Sequence, residues 1–382
     1  MDKDILYLNG PVNFFKLKNG DKEVYLFGDR HNNIENQGEC DELESFNFDK
    51  YLKYFFKHNT KNIDFMLETY MTPNEYYDKN YNYKYLFKLR KVFQELYDKN
   101  PYYKYLKVHY IDTRQRFINN TYVTEPYYFQ NFIREYILKN GLYDFNYILN
   151  TLNYYLDVYN NNINIIDKYY KDEKSNVDKE NYNDILFNKI ITKYNNKENK
   201  IKINKFFKVM CYERMKYIID EIKKFITDCN KYQKIFDNNI NKFERKHMNS
   251  NKELYKQYFL NEFFTETDEY KKIKNDVFIT VNKIETQIRD IGLYIMDCYF
   301  LRRLLDKDYI KNSIVYTGAF HNTDYLHFLV KNYDYKIVEY GTINDISSNE
   351  LEKLIKKTDS WMDIYKYVDS NKQCIKINKF FS

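Results

Sequence analysis

One short phrase occurs twice, near opposite ends of this 382-residue chain: Gly28-Asp29-Arg30-His31 within VYLFGDRHNN, and Gly318-Ala319-Phe320-His321 within IVYTGAFHNT. Each copy follows a run of β-branched and aromatic residues, the composition of a half-buried or buried strand. Each therefore sets a histidine just past the carboxyl end of a strand, the edge of an α/β sheet where ligands and reacting groups gather. The chain has only six histidines, so two in one context constrain the fold more than any bulk property does. A sheet that uses both ends of the chain is the simplest architecture that accommodates them.

The surrounding pattern agrees. Residues 12–17 and 23–27 flank Asn19-Gly20, a strong hairpin signal. A helix is predicted over 48–57, a buried strand over 63–67 ending at Glu68, a helix over 83–97 and a strand over 107–111. Between residues 125 and 269 glycine and proline nearly vanish, with only Gly141 and Pro126, and apolar positions recur at three and four. In FKVMCYERMKYIIDEIKKFI the residues Met210, Met215, Ile218, Ile222, Phe225 and Ile226 fall on one side of a helix. The Asn- and Lys-rich stretch 172–200 reads as flexible. After it a long amphipathic helix over 276–306 turns Ile284, Ile288, Ile291, Ile295 and Leu305 inward. A strand over 314–317, a helix over 324–331 and a strand over 335–340 follow. Units of this kind pack as parallel strands with right-handed crossovers. The expected fold class is α/β, a central mostly parallel sheet with flanking helices. Its halves, 1–124 and 270–382, are interrupted by a large all-helical insertion or cap, 125–269.

Charge and composition narrow the function. Lys and Arg number 61 against 55 Asp and Glu, a formal +6 that is small for this length and unlike a polycation built for phosphate backbones. The 44 tyrosines and 29 phenylalanines are spread throughout, as AT-rich coding would spread them, and no nucleic-acid-binding motif accompanies them. The expectation is no nucleic-acid partner. No window supplies about eighteen consecutive apolar residues and the start has no apolar leader core, so no membrane partner is expected either. Five cysteines, Cys40, Cys211, Cys229, Cys298 and Cys374, form no CxxC pair. Their odd number and wide spacing suggest reduced thiols in a soluble, cytoplasmic protein. Oligomeric state is left open.

Three residues share the expected carboxyl edge: His31, Glu68 and His321. Glu68 ends the apolar run Phe65-Met66-Leu67, an expensive place for a carboxylate unless it is paired, hydrogen-bonded or metal-bound. Two imidazoles and a carboxylate make the ligand set of many catalytic sites for zinc, manganese or cobalt. The glycine three residues before each histidine permits close approach of backbone to a ligand. A helix that precedes a parallel strand brings its early turns towards that strand's carboxyl end. Arg289, sixteen residues before Leu305 and hence roughly 24 Å from it along the helix, is thereby carried towards His321. A planar, permanently charged guanidinium there could stabilise an oxyanion. Asp290 is turned about 100° away around the helix. Asp112 and Arg114 could line a pocket, and Asp29 and Arg30 could orient His31. His58, His109, His247 and His327 have no partner motif.

The order GDRH, MLET, TQIRD at the head of a long helix, VYTGAFH, then a helix and KIVEYG resembles the TraB/Tiki superfamily, which also contains erythromycin-esterase-like and ChaN-like proteins. The resemblance covers about residues 26–68 and 286–340. It places His31 and His321 at the motif histidines, Glu68 at the glutamate ending an early strand and Arg289 at the helix arginine. It implies a metal-dependent peptidase, as in the Tiki-like branch, or ester hydrolysis, as in the esterase-like branch. The middle of the chain has no counterpart in the pattern, and the transmembrane anchor of some branches is absent.

Two hydrolases and a binding module follow. In the first, His31, Glu68 and His321 hold a divalent metal (Mn, Co or Zn) and its water, and Arg289 stabilises the oxyanion; the substrate is a peptide or a small ester. The second keeps the site without a metal, a histidine acting as general base. The third is a non-catalytic relative that binds haem or another ligand.

Overall fold

Gly20 has a φ of +57° and supplies the left-handed residue of a two-residue hairpin loop. It joins β2 (Asn13–Asn19) to β3 (Lys22–Asp29), paired from Asn19 with Lys22 to Asn13 with Gly28. The computed structural model that contains this hairpin describes residues 5–33, 35, 40, 45–70, 84–91, 104–113, 129, 131–140, 142, 145–171, 182–246, 267–341, 346–370 and 372–378. These residues fall into two compact units. One is built from 1–113, 194–202 and 296–382, the other from 114–193 and 203–295.

The first unit holds a six-stranded sheet. Its remaining strands are β5 (Ile63–Tyr70), β6 (Leu106–Asp112), β7 (Asn312–Gly318) and β8 (Lys336–Gly341), and the order is β6-β5-β7-β3-β2-β8. The four strands from β6 to β3 are parallel, while β2 is antiparallel to both its neighbours. The sheet thus combines the two ends of the chain, as the repeated motif requires. β8 runs in the same direction as β7, but the hairpin strands β3 and β2 lie between them. A smaller sheet joins β1 (Ile5–Asn9) to β4 (Ser45–Asn47) and to β9 (Cys374–Asn378).

Alternate residues of the strands build the core on one face. Tyr25 and Phe27, Phe65 and Leu67, Ile314 and Tyr316 are all buried there together with Phe48, Leu52 and Phe56 of α1 (Phe48–His58). The Phe48 ring lies 4.7 Å from Phe27 and 5.0 Å from Tyr316, centroid to centroid. Aromatic contacts at these separations add to the burial of 150 Å² or more that each ring brings. Residues 85–91 are helical, within the helix expected over 83–97; residue 83 and residues 92–97 lie outside the described residues.

Among its described residues the second unit contains helices and no strand. Its long elements are α2 (Asn146–Lys171), α3 (Tyr182–Ile191), α4 (Lys197–Phe207), α5 (Glu213–Lys246) and α6 (Asp268–Asp306), of which α4 and α6 each give their last or first residues to the other unit. Met215, Ile218, Ile222 and Phe225 are buried, as are all five inward residues expected on α6. A π-helical turn at Lys208–Tyr212 shifts the register, so Cys211 and Tyr212 are buried while Met210 is only half-buried. The flexible reading of 172–200 is corrected. α3 and the start of α4 occupy its described part, because Phe187, Ile190 and Ile191 have a core to enter. Residues 172–181 lie outside the described residues.

Two further expectations change. The helix expected at 324 begins directly after β7, as α7 (Ala319–Tyr333), so His321 belongs to a first helical turn and not to a loop. The cysteines are not all thiols, since Cys40 and Cys374 form a disulfide with a Cα separation of 5.0 Å, while Cys211, Cys229 and Cys298 are free and buried. Their 334-residue separation in sequence conceals that β9 pairs with β1, opposite Cys374 at Asn9, whose side chain also accepts the Cys40 N–H. Among the described residues no helix is long and apolar enough to cross a membrane.

Candidate functional site

β3 and β7 are neighbours, and their register sets Gly28 opposite Thr317 and Asp29 opposite Gly318. The two Gly-x-x-His phrases therefore leave the sheet side by side, and β5, on the other flank of β7, brings Glu68 to the same edge. β5 continues two residues beyond Glu68, further than its apolar run suggests.

His31 has a φ of +55°, a left-handed conformation that a non-glycine residue adopts at a cost. Asp29 holds it there. One oxygen of the buried Asp29 carboxylate accepts both the His31 backbone N–H (3.0 Å) and its ring Nδ1–H (3.2 Å). The ring thus turns Nε2 inward, 3.5 Å from Glu68 Oε2, with its side chain 38% exposed.

His321 is deeper. Its Nδ1 lies 2.6 Å from Oδ1 of Asp297 on α6, and the same oxygen accepts the Tyr325 hydroxyl at 2.7 Å. All three side chains are buried. Nδ1–H donating to Asp297 makes Nε2 the acceptor of this ring, and Nε2 lies 3.7 Å from Glu68 Oε1. Asp324, one turn on, is buried with one carboxyl oxygen lacking a partner among the described residues. Burial, and then the neighbouring Asp297 charge, push its carboxyl well above the usual range.

Glu68 is the shared member. Its Oε2 accepts the Gly318 N–H at 2.6 Å, at the N-terminus of α7, where the helix dipole favours a negative charge. A Cβ on Gly318 would stand 3.0 Å from His31 Nε2, a tight contact that only a shift of the ring relieves, and 3.5 Å from Glu68 Oε2, an ordinary one. Burial opposes charge on His31, but the facing carboxylates of Glu68 and Asp29 outweigh it and lift the imidazole to about 10. The ring is a cation at neutral pH.

The donor set suits a divalent cation in kind, and histidines whose second nitrogen is held by a carboxylate are the usual ligands. As placed, however, no group of three His, Cys, Asp or Glu side chains among the described residues could hold a metal ion.

The remaining candidates have surroundings of their own. Arg289 lies in the second unit, exposed on α6, with Glu285 and Asp290 as charged neighbours; Asp290 itself pairs with Arg214 at 2.9 Å. Asp112 is buried, and Arg114 lies outside the described residues, as does His247. Arg30 does not orient His31 directly but makes a two-pronged ion pair with Asp369, at 3.0 and 2.9 Å. His109 is held between Asp64 (2.6 Å) and Arg303 (2.8 Å). His327 faces the Thr358 carbonyl, burial lowering its pKa, and His58 bonds the Tyr54 carbonyl on an exposed helix end.

Residues 6–382 match the model of a family of unknown function, DUF5847. The chain belongs to that family. Among its relatives are three proteins of Acanthamoeba polyphaga mimivirus, the uncharacterized proteins R160, R161 and R706. They are 28%, 27% and 26% identical to it, over the whole of this chain and 98%, 98% and 97% of their own length. No solved structure matches the chain.

For this member of DUF5847, sequence reasoning missed Asp297, Asp324, Tyr325 and Gln373. Asp297 carried the same signal that marked Glu68, a lone acid in the apolar run Ile295-Met296-Asp297-Cys298. The member expected on α6 is a cation, Arg289. The residue of that helix touching His321 is an anion eight positions later. Gln373 has no local signal, since its importance arises from β9 pairing with β1.

Proposed function

We propose that this protein is a hydrolase of peptides or small esters, working by general acid–base catalysis between His31 and His321. The observation that carries the reading is a pair of carboxylate-held imidazoles, each turning Nε2 to opposite oxygens of one buried glutamate. Asp-held histidines with a directed second nitrogen are the working unit of many acyl-transfer sites. The resemblance to TraB/Tiki proteins points the same way.

In this reading His321 is the base. Asp297 fixes its tautomer and stabilises the imidazolium that forms when Nε2 takes a proton from water. The water oxygen attacks the carbonyl carbon. His31, charged below about pH 10 and partly exposed, sits where an incoming substrate reaches it. It stabilises the oxyanion and then protonates the leaving amine or alkoxide as the C–N or C–O bond breaks. Glu68 balances the two rings and holds the start of α7. His321 then releases its proton and His31 regains one, which closes the cycle.

The test is a panel of peptides and aryl esters with wild-type protein, His321→Ala, His31→Ala and Glu68→Gln, each checked for folding. The expected result is turnover by the wild type and a fall of roughly 10²–10⁴-fold in each variant, the usual worth of an acid–base group. Turnover that survives His321→Ala would overturn the assignment. Metal content and the effect of a chelator are measured in the same preparation, and activity lost to the chelator and restored by Mn, Co or Zn would replace this mechanism with the metal-dependent one.

A further inference from the structure

The left-handed turn at His31 is fastened by residues more than three hundred positions away. Asp369, just after α8 (Met362–Val368), takes both hydrogen bonds from Arg30, the residue before His31. Gln373 is completely buried and grips both sides of the turn. Its Nε2 donates to Asp29 Oδ1 at 3.3 Å, and its Oε1 accepts from Asn32 Nδ2 at 3.2 Å. Its carbonyl accepts the Gly10 N–H at 3.1 Å. The next residue, Cys374, is bound covalently to Cys40, downstream of the same turn. Cys40 also donates its N–H to Asn9, at 2.8 Å, across from Cys374. These three bonds tie Gln373 to the His31 turn and to the end of the strand that the disulfide closes.

We propose that Gln373 is a positioning residue for His31 and that the Cys40–Cys374 disulfide makes its grip dependent on redox state. Gln373 donates to the Asp29 oxygen that does not hold His31, and so helps to fix the carboxylate that does. Cys40 is half-exposed, so a dithiol reaches it. Two electrons from the dithiol break the sulfur–sulfur bond, its two protons complete the Cys40 and Cys374 thiols, and it leaves as a cyclic disulfide. Gln373 is then held by its hydrogen bonds and by the packing of β9 alone, and its place is less tightly fixed. A purely structural clip would alter the whole first unit. A positioning device alters His31 and leaves distant groups alone.

The experiment uses the full-length chain, purified without reductant. Alkylation under denaturing conditions should modify three cysteines before dithiothreitol and five after it. Ring ¹⁵N–¹H spectra are then recorded on histidine-labelled protein, the His31 signal being the one lost in His31→Ala. The expected result is that dithiothreitol displaces or broadens the His31 signal, and that Gln373→Met does the same with the disulfide intact. His109, held between Asp64 and Arg303, should keep its signal in both. Cys374→Ser should reproduce the effect of reduction. Five alkylated cysteines without reductant, an unmoved His31 signal after reduction, or equal changes at His31 and His109 would each overturn the proposal. If Gln373→Met fails to fold, reduction of the wild type decides alone. The readout is the ring itself, so the result is independent of whether hydrolysis is found.

Discussion

His31 and His321 leave neighbouring parallel strands three residues after a glycine, yet the structure treats them differently. One ring occupies a left-handed turn with a side chain 38% exposed; the other lies in the first turn of α7, 7% exposed. One is held by a carboxylate two residues earlier in its own turn, the other by an aspartate delivered on a separate helix. A four-residue motif thus fixes where the chain leaves the sheet, and the tertiary partners fix what the histidine becomes. In our reading the buried copy serves as a base with a set tautomer. The exposed copy serves as a cation that meets the substrate.

The largest effects should separate the two copies by stability as well as by rate. His321→Ala leaves the buried Asp297 carboxylate with the Tyr325 hydroxyl but without its imidazole, and breaking a buried pair typically costs about 3 kcal/mol. His31→Ala removes a ring that is 38% exposed, where solvent screening discounts much of what its raised pKa would contribute, and should cost about 1–2 kcal/mol at neutral pH, with a comparable loss of turnover. Urea unfolding of both variants checks this. A greater loss of stability at His31 would reverse the roles assigned here. Asp297→Asn, which keeps the shape but can favour the other tautomer, should reduce kcat by roughly 10²–10⁴-fold with KM little changed.

The two glycines offer the next contrast. A Cβ on Gly318 would meet His31 Nε2 at 3.0 Å, whereas one on Gly28 would meet Asn13 Oδ1 at 2.2 Å and the Ala319 Cα at 3.0 Å. Asn13 is buried and bonded to Asn322, so Gly28→Ala forces strain into packed structure and should cost about 1–3 kcal/mol. Gly318→Ala can be absorbed by a shift of the His31 ring. It should keep most of the stability and lose roughly 10–100-fold in turnover, the scale of a small misplacement of a reacting group. Finding the rate effect at Gly28 and the stability effect at Gly318 would contradict the geometry.

A pH series distinguishes the copies in another way. His31 is raised from an ordinary 6.5 to about 10 by Glu68 and Asp29, against the opposing effect of burial. A raised pKa means that the folded state binds the proton more tightly than the unfolded chain does. The stabilisation is therefore complete below about pH 6.5 and is lost as pH rises through about 10. The wild-type stability minus that of His31→Gln should fall across this window. The difference cancels the tyrosines and lysines that titrate in the same range. A flat difference curve would show that His31 is not charged in the folded protein.

Much of this site was legible in the chain. The hairpin at Asn19-Gly20, the strands before both motifs and the inward stripe of α6 follow from turn chemistry and periodicity, which act over a few residues. Glu68 was legible because an acid in an apolar run needs a partner. Asp297 obeys the same rule and was overlooked because a cation was sought on that helix. The small sheet, the disulfide and Gln373 were not legible, since β1, β4 and β9 are short and meet only after the chain has folded. The helical start at Ala319 was hidden because its cue is the Gly318 N–H reaching a carboxylate 250 residues away.

The smallest prediction probes the backbone alone. At a φ of +55° a residue with a Cβ is strained and glycine is not. His31→Gly and His31→Ala both remove the ring, its charge and its bond to Asp29, so their difference isolates that strain. Glycine also has the more flexible unfolded chain, which opposes the gain. If the turn is held left-handed by Gln373, Asp369 and the disulfide, and not by the ring, the strain persists in the alanine variant. His31→Gly should then be the more stable of the two by about 1 kcal/mol in the oxidised protein. After reduction the turn is released to relax, and the two variants should converge. An alanine variant already as stable as the glycine one before reduction would mean that the histidine ring, and not the distant clamp, is what bends the chain.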